Sequence, residues 1–390
     1  MSEIKVNSIK GVGATNAAIT VNNTDGTCTA NLTNRQNRNL IINGAMQVAQ
    51  RGTTSTVSDY GTVDRFELLY GGTDEAPTQS QVDVASGTTP YTLGFRKAFR
   101  ATNGNQTSVA SDDFMFMRTR FEAQDIANSG WNYTSSSSDI TLSFWVKSSI
   151  AQTFPIRLVT SDGTSQNYSF QFTISSADTW QKVTHTIPGN SNLTFDTNEN
   201  LGLTLFWDLF RGTDFTTSSF TNNAWAAFSS SSRSKDQTST WYQADNATFE
   251  ITGVQLEVGS VATDFEHRSF GQELALCQRY FYNYMPAGNA NRNIGIGCYT
   301  GGGNQYELSI RHPVVMRDTP SYEEVGGTDF FANFGNTGGN GIVTYSGFSA
   351  DQLMNISTGL FTTNAGSHGG KATRAKLNNA SASMAFDAEL

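Results

Sequence analysis

The side chains able to do chemistry are few and scattered. Four histidines stand at His185, His267, His312 and His368, with no H-E-x-x-H run and no paired spacing that would hold a metal. Adjacent carboxylates occur at Asp112-Asp113 and Glu323-Glu324, but neighbours on a strand face opposite ways and cannot flank one glycosidic bond. A phosphate loop fails at GSHGGKAT, because Ala365 replaces the first Gly and Ala372 replaces the Ser or Thr after Lys371. Asp196, Asn198 and Asn200 alternate like calcium ligands, yet Leu201 replaces the required Gly and no Glu closes the loop. Cys28, Cys277 and Cys298 have no metal-ligand spacing, and Cys277 and Cys298 read as buried small hydrophobes. No catalytic constellation, metal or cofactor is therefore expected.

Aromatic chemistry remains. Strand alternation places Trp145 with Thr141, Ser143 and Lys147, opposite Leu142, Phe144 and Val146. The same rule puts Phe206 and Asp208 opposite Leu205 and Trp207. A ring among short polar groups and one acid holds a flat sugar face by stacking and a few hydrogen bonds. Trp145, Phe206 and Asp208 are thus the candidate glycan contacts. The competing reading is that these rings pack beneath loops or in a subunit interface.

The elements that must position them are strands. The stretch Phe249 to Phe265 reads FEITGVQLEVGSVATDF and looks like the closing strand of a large sandwich. Its apolar residues change parity: Phe249 and Ile251 are odd, whereas Val254, Leu256 and Val258 are even. One extra residue at Thr252-Gly253, a β-bulge with Gly at positive φ, restores both sets to one face. Ile140 to Val146, Tyr168 to Ile174 and Leu201 to Trp207 alternate in the same way. Strands at this density, separated by turn residues, indicate an antiparallel β-sandwich. After Arg268 the period changes. Ser269 to Gln272 reads as a capping box, and Leu274, Cys277, Phe281 and Tyr284 fall at helical spacing.

Composition narrows the function classes. The 390 residues carry a net charge of −9, and no run of Lys or Arg forms the basic stripe that a phosphate backbone requires. Nucleic acid is excluded as a partner. No apolar run approaches the ~20 residues of a membrane span, and MSEIKVNSIK lacks a signal-peptide h-region. Synthesis in a cytoplasm without membrane insertion is expected.

Four separated blocks carry a family resemblance: NLIINGAMQVAQRGT with VDRF (Asn39 to Phe66), ITLSFWVKS (Ile140 to Ser148), TISSADTWQKVTHTI (Thr173 to Ile187) and FEITGVQLEVGSVATDFEHRSFGQELALCQRYF from Phe249. Their order resembles a module of bacteriophage tail-fibre and other virion proteins, especially those of marine phages. The resemblance implies a jelly-roll akin to carbohydrate-binding modules, carried on a viral appendage that contacts a host-surface glycan or receptor. It also implies a homotrimer and attachment to other virion tail proteins through the N-terminus. On this reading residues 1–37 form the attachment and oligomerisation segment and 38–268 the jelly-roll. Residues 269–285 form a short helical linker and 286–390 a smaller Gly-rich β-domain, in which RNIGIGCYT and QYELSIRHPV make a hairpin. Two rivals stay open: a capsid or head-fibre decoration without receptor function, and a host-glycan depolymerase whose carboxylates only the fold would bring together.

Overall fold

In this computed structural model the described residues are 7–10, 12, 19–21, 28–30, 37–288, 292–300, 305–325, 331–334, 340–344, 351–354, 356–363, 372–377 and 380–390. Two six-stranded antiparallel sheets make the body. One has the order Trp225–Ala227, Gln166–Thr173, Thr153–Thr160, Leu201–Arg211, Phe114–Glu122, Glu67–Gly71. The other runs Gln181–Pro188, Asp139–Ser148, Thr248–Val258, Lys97–Thr102, Thr78–Asp83, Thr54–Ser55. From Lys97 onward the chain passes repeatedly from one sheet to the other, which is the winding of a jelly roll.

The core lies between the sheets because each strand turns its apolar set inward. Leu142, Phe144 and Val146 from one sheet meet Leu203, Leu205 and Trp207 from the other. Aromatic contacts stitch the layers: Phe66 lies 6.2 Å from Phe99 and 6.1 Å from Trp207, and Phe144 lies 5.8 Å from Trp207.

The expected bulge is present. Thr252 pairs with Trp145 and Gln255 with Ser143, so two residues oppose the single Phe144. Gly253 has φ +61°. As a result Phe249, Ile251, Val254 and Leu256 all reach the core. The bulge also divides the strand between two neighbours. On the Thr248–Val258 strand Lys97–Thr102 pairs only with residues 248–251. Beyond the bulge the segment from Asn39 to Gly44 takes over, through Val254 N to Gly44 O at 2.9 Å and Leu40 N to Leu256 O at 2.9 Å.

Ser269 caps the helix Phe270–Gln278 with the full capping box. The helix stops there, however, and the expected helical stripe does not reach Tyr284. Phe281–Met285 is instead a strand paired with Ser383–Asp387. Two periods compete in this stretch, and the alternation of Tyr282 and Tyr284, both packed against Phe386, prevails. Ser321–Val325 completes that three-stranded sheet, and Asn293–Thr300 pairs with Gln305–Arg311 as a hairpin.

The C-terminal residues are fastened to the sandwich by charge. Arg65 pairs with Glu389, and Arg51 lies 2.6 Å from Asp387. Glu122, buried at the end of its strand, accepts from Arg279 Nε at 2.7 Å and from the Tyr280 hydroxyl at 2.6 Å. At the other end of the chain Ser8–Ile9, Ile19–Val21 and Cys28–Ala30 form a separate three-stranded antiparallel sheet.

Candidate functional site

Trp145 projects from the outer face of its sheet, opposite the core-facing Phe144 and Val146. Its cross-strand neighbours are Lys182 and Thr252. The half-buried indole rests on an apolar island of Ala45, Val84, Phe95 and Ala98, together with Trp180 and Phe265. Phe265 meets Phe95 edge-on at 4.9 Å and so stiffens the support. Lys147 Nζ sits 5.2 Å from the Trp180 ring centroid and 3.1 Å from Glu250 Oε1. Lys182 and Thr184 are exposed beside the rings. This is a supported aromatic platform with donors at its rim. Alternation in the sequence announced Trp145, but Trp180 joins it only through the pairing of Gln181–Pro188 with Asp139–Ser148.

Phe206 and Asp208 lie on the outer face of the opposite sheet, so no small ligand touches them and Trp145 together. Asp208 is fully buried, and both oxygens are engaged. Arg157 donates from Nε at 2.5 Å and from Nη2 at 3.2 Å, and Arg211 donates from Nε at 2.8 Å. Burial alone pushes this carboxyl up, but the two guanidiniums outweigh it and hold it below the ordinary carboxylate range. Phe206 packs 5.4 Å from Phe116, with the Arg157 guanidinium 4.2 Å from its centroid. The segment after Gly212 covers the group, with Asn167 Nδ2 donating to Arg233 O at 2.7 Å. Asp208 offers no free oxygen to a ligand, and its contacts are those of a buried ion-pair triad.

A cleft of about 1160 Å³ lies between the sandwich and the C-terminal three-stranded sheet. Arg118 and Arg120 line it from the sheet that carries Phe206, and Tyr60, Phe281, Asn283 and Tyr322 line it from elsewhere. Sequence reasoning missed this cleft. Its walls come from five distant segments, and alternation assigns a residue to a face without saying which strands share that face.

The described histidines serve structure. His185 stacks on Phe170 at 3.7 Å and hydrogen-bonds the Tyr168 hydroxyl at 3.0 Å, while His267 packs against Phe95 and Phe265. His312 bonds Ser357 at 3.0 Å, and His368 lies outside the described residues. Cys277 is buried, and the side chain of Cys298 lies outside the described residues.

No family model matches the sequence, and no curated protein matches it. Among solved structures the chain is similar to the enzymatically active domain of tailspike protein 4 of bacteriophage CBA120, with a TM-score of 0.31 and 10% identity. That match covers 57% of this chain and 21% of the tailspike chain. The N-terminal cellulose-binding domain of β-1,4-glucanase C from Cellulomonas fimi has a TM-score of 0.27 and 10% identity over 55% of this chain and 99% of that one. A family 61 carbohydrate-binding module in complex with β-1,4-galactotriose has a TM-score of 0.27 and 9% identity over 57% and 99%.

Proposed function

We propose that this chain is a subunit of a bacteriophage tail fibre or a related virion appendage, and that its jelly roll binds a host-surface glycan without turning it over. The binding part rests on the platform at Trp145, a half-buried indole packed on an apolar cluster with Lys182 and Thr184 exposed on the neighbouring strand. The virion part rests on the four sequence blocks between residues 38 and 285, which fall within the sandwich and the helix that leaves it. No metal or cofactor enters this reading. Contact with the host is made by rigid side chains, and a homotrimer presents several weak sites whose avidity raises effective strength by roughly 10²–10⁴-fold.

Trp145→Ala is expected to weaken binding of the purified protein to host cells by roughly tenfold, about 1.4 kcal/mol, without a loss of folding. Binding isotherms on intact cells, with a melting curve as control, read this directly. Unchanged binding would favour a decoration protein without receptor function.

The N-terminal segment is assigned the attachment role, because residues 1–37 fall below the ~40 residues that usually fold alone without a partner. Deleting residues 1–37 should leave a folded sandwich that no longer enters particles, as measured by immunoblots of purified virions. Incorporation at the level of the intact chain would remove the attachment role.

A further inference from the structure

The sheet face around Trp145 carries charge opposite in sign to that of the whole chain. Strand register sets Lys182 and Thr252 beside Trp145. Two positions along the same strand it sets Glu250 beside Lys147, and Arg100 on the far side of Glu250. Three cations thus stand against one carboxylate. Glu250 is sealed, its side chain 2% exposed, whereas Arg100 and Lys147 keep 33% and 22% of theirs in solvent. A single oxygen of Glu250 serves both. It accepts from Arg100 Nη2 at 2.7 Å and Nε at 3.0 Å, and Lys147 Nζ lies 3.1 Å away. The carboxylate fixes two cations and cancels one charge. Lys182 is exposed and makes no ion pair among the described residues.

Rings and cations alternate on this face. Lys147 is two residues from Trp145, about 7 Å along the strand, and its Nζ lies 5.2 Å from the Trp180 ring centroid. A sugar laid on the indole would have an ammonium along the strand at Lys147 and another across it at Lys182. Ammonium and guanidinium groups only donate, so the group that complements them best only accepts. A hydroxyl gains an ordinary hydrogen bond there, and a carboxylate gains a charge-assisted one, roughly twice as strong. The net charge of −9 opposes an anion only weakly, because salt screens exposed charges beyond ~8 Å. At contact distance the local positive excess decides.

We infer that the platform selects acidic sugars: the ring of a uronate lies on Trp145, and Lys147 and Lys182 receive its carboxylate while Glu250 holds Lys147 and Arg100 in place. This rests on the reading of Trp145 as a glycan contact and adds the chemical class of the ligand to it.

The test is calorimetric titration of the full chain with neutral gluco-, galacto- and manno-oligosaccharides, each beside the uronate series that differs from it at C6. At least one uronate should bind about tenfold tighter than its neutral counterpart, and the gap should close in about 1 M salt. Lys147→Gln should weaken uronate binding by about tenfold. Lys182→Gln, which removes no contact within the fold, should weaken it by about threefold with an unchanged melting temperature. Neutral sugars should respond to neither lysine. Neutral sugars that bind as tightly as uronates and are lost with Trp145→Ala would overturn the inference alone. A uronate preference that survives both lysine variants would do the same. Binding by no sugar at millimolar concentration, or binding that Trp145→Ala leaves intact, would overturn the inference together with the reading of Trp145.

Discussion

Gly253→Val is expected to destabilise the protein by on the order of 3–5 kcal/mol, read as a fall in the urea midpoint at constant slope. Two effects add. A β-branched residue at φ +61° is strained by roughly 1–3 kcal/mol. A Cβ at this position would also stand 2.6 Å from Cζ of Phe95, which is itself held against Phe265 and His267 and has no free direction to yield. Crowding of that kind adds roughly 1–3 kcal/mol. The Gly253→Ala variant in a Phe95→Ala background separates the terms, because removing the ring relieves the contact and leaves the dihedral strain. If Gly253→Val shifts stability by less than about 0.5 kcal/mol, the extra residue is not what aligns Ile251 with Val254.

Features set by local spacing were legible in the sequence, and features set by strand pairing were not. The bulge was legible because the parity change between Ile251 and Val254 lies within a few residues. The outward aim of Trp145, Phe206 and Asp208 followed from the same period of 2. Their surroundings did not follow. Alternation alone leaves Asp208 open to a sugar, yet Arg157 reaches it because Arg157 is the register partner of Phe206 on the neighbouring strand. Tyr60, Arg120 and Asn283 share a cleft only after the C-terminal strand Ser383–Asp387 pairs with Phe281–Met285. The misread end of the helix has a different origin. Leu274, Cys277 and Phe281 satisfy a 3.6-residue period that extends to Tyr284, but the chain abandons the helix at Arg279.

The buried triad yields the other large effect. Asp208→Asn should cost about 3–5 kcal/mol, because it leaves the guanidiniums of Arg157 and Arg211 buried beside an amide that cannot neutralise them. Each guanidinium is about 1% exposed, so water does not compensate. Replacing the whole triad, with Arg157→Met and Arg211→Met added to Asp208→Leu, should restore most of the loss, since no unpaired charge then remains. Acid unfolding supplies an independent reading. The folded Asp208 carboxyl lies below its unfolded value of about 3.9, so its contribution is complete above that pH and is lost as pH falls through the folded value. His185 acts earlier. Burial lowers it to about 4, against about 6.5 unfolded, so stability declines as pH falls from about 6.5 to 4 while only the unfolded chain takes up that proton. Stability followed against pH should therefore fall in two stages in the wild type. Asp208→Asn should shrink the lower stage, which Glu122 also feeds, and keep the upper, and His185→Gln should shrink the upper and keep the lower. An Asp208→Asn protein with wild-type stability at pH 7 would mean that the two arginines do not need this carboxylate.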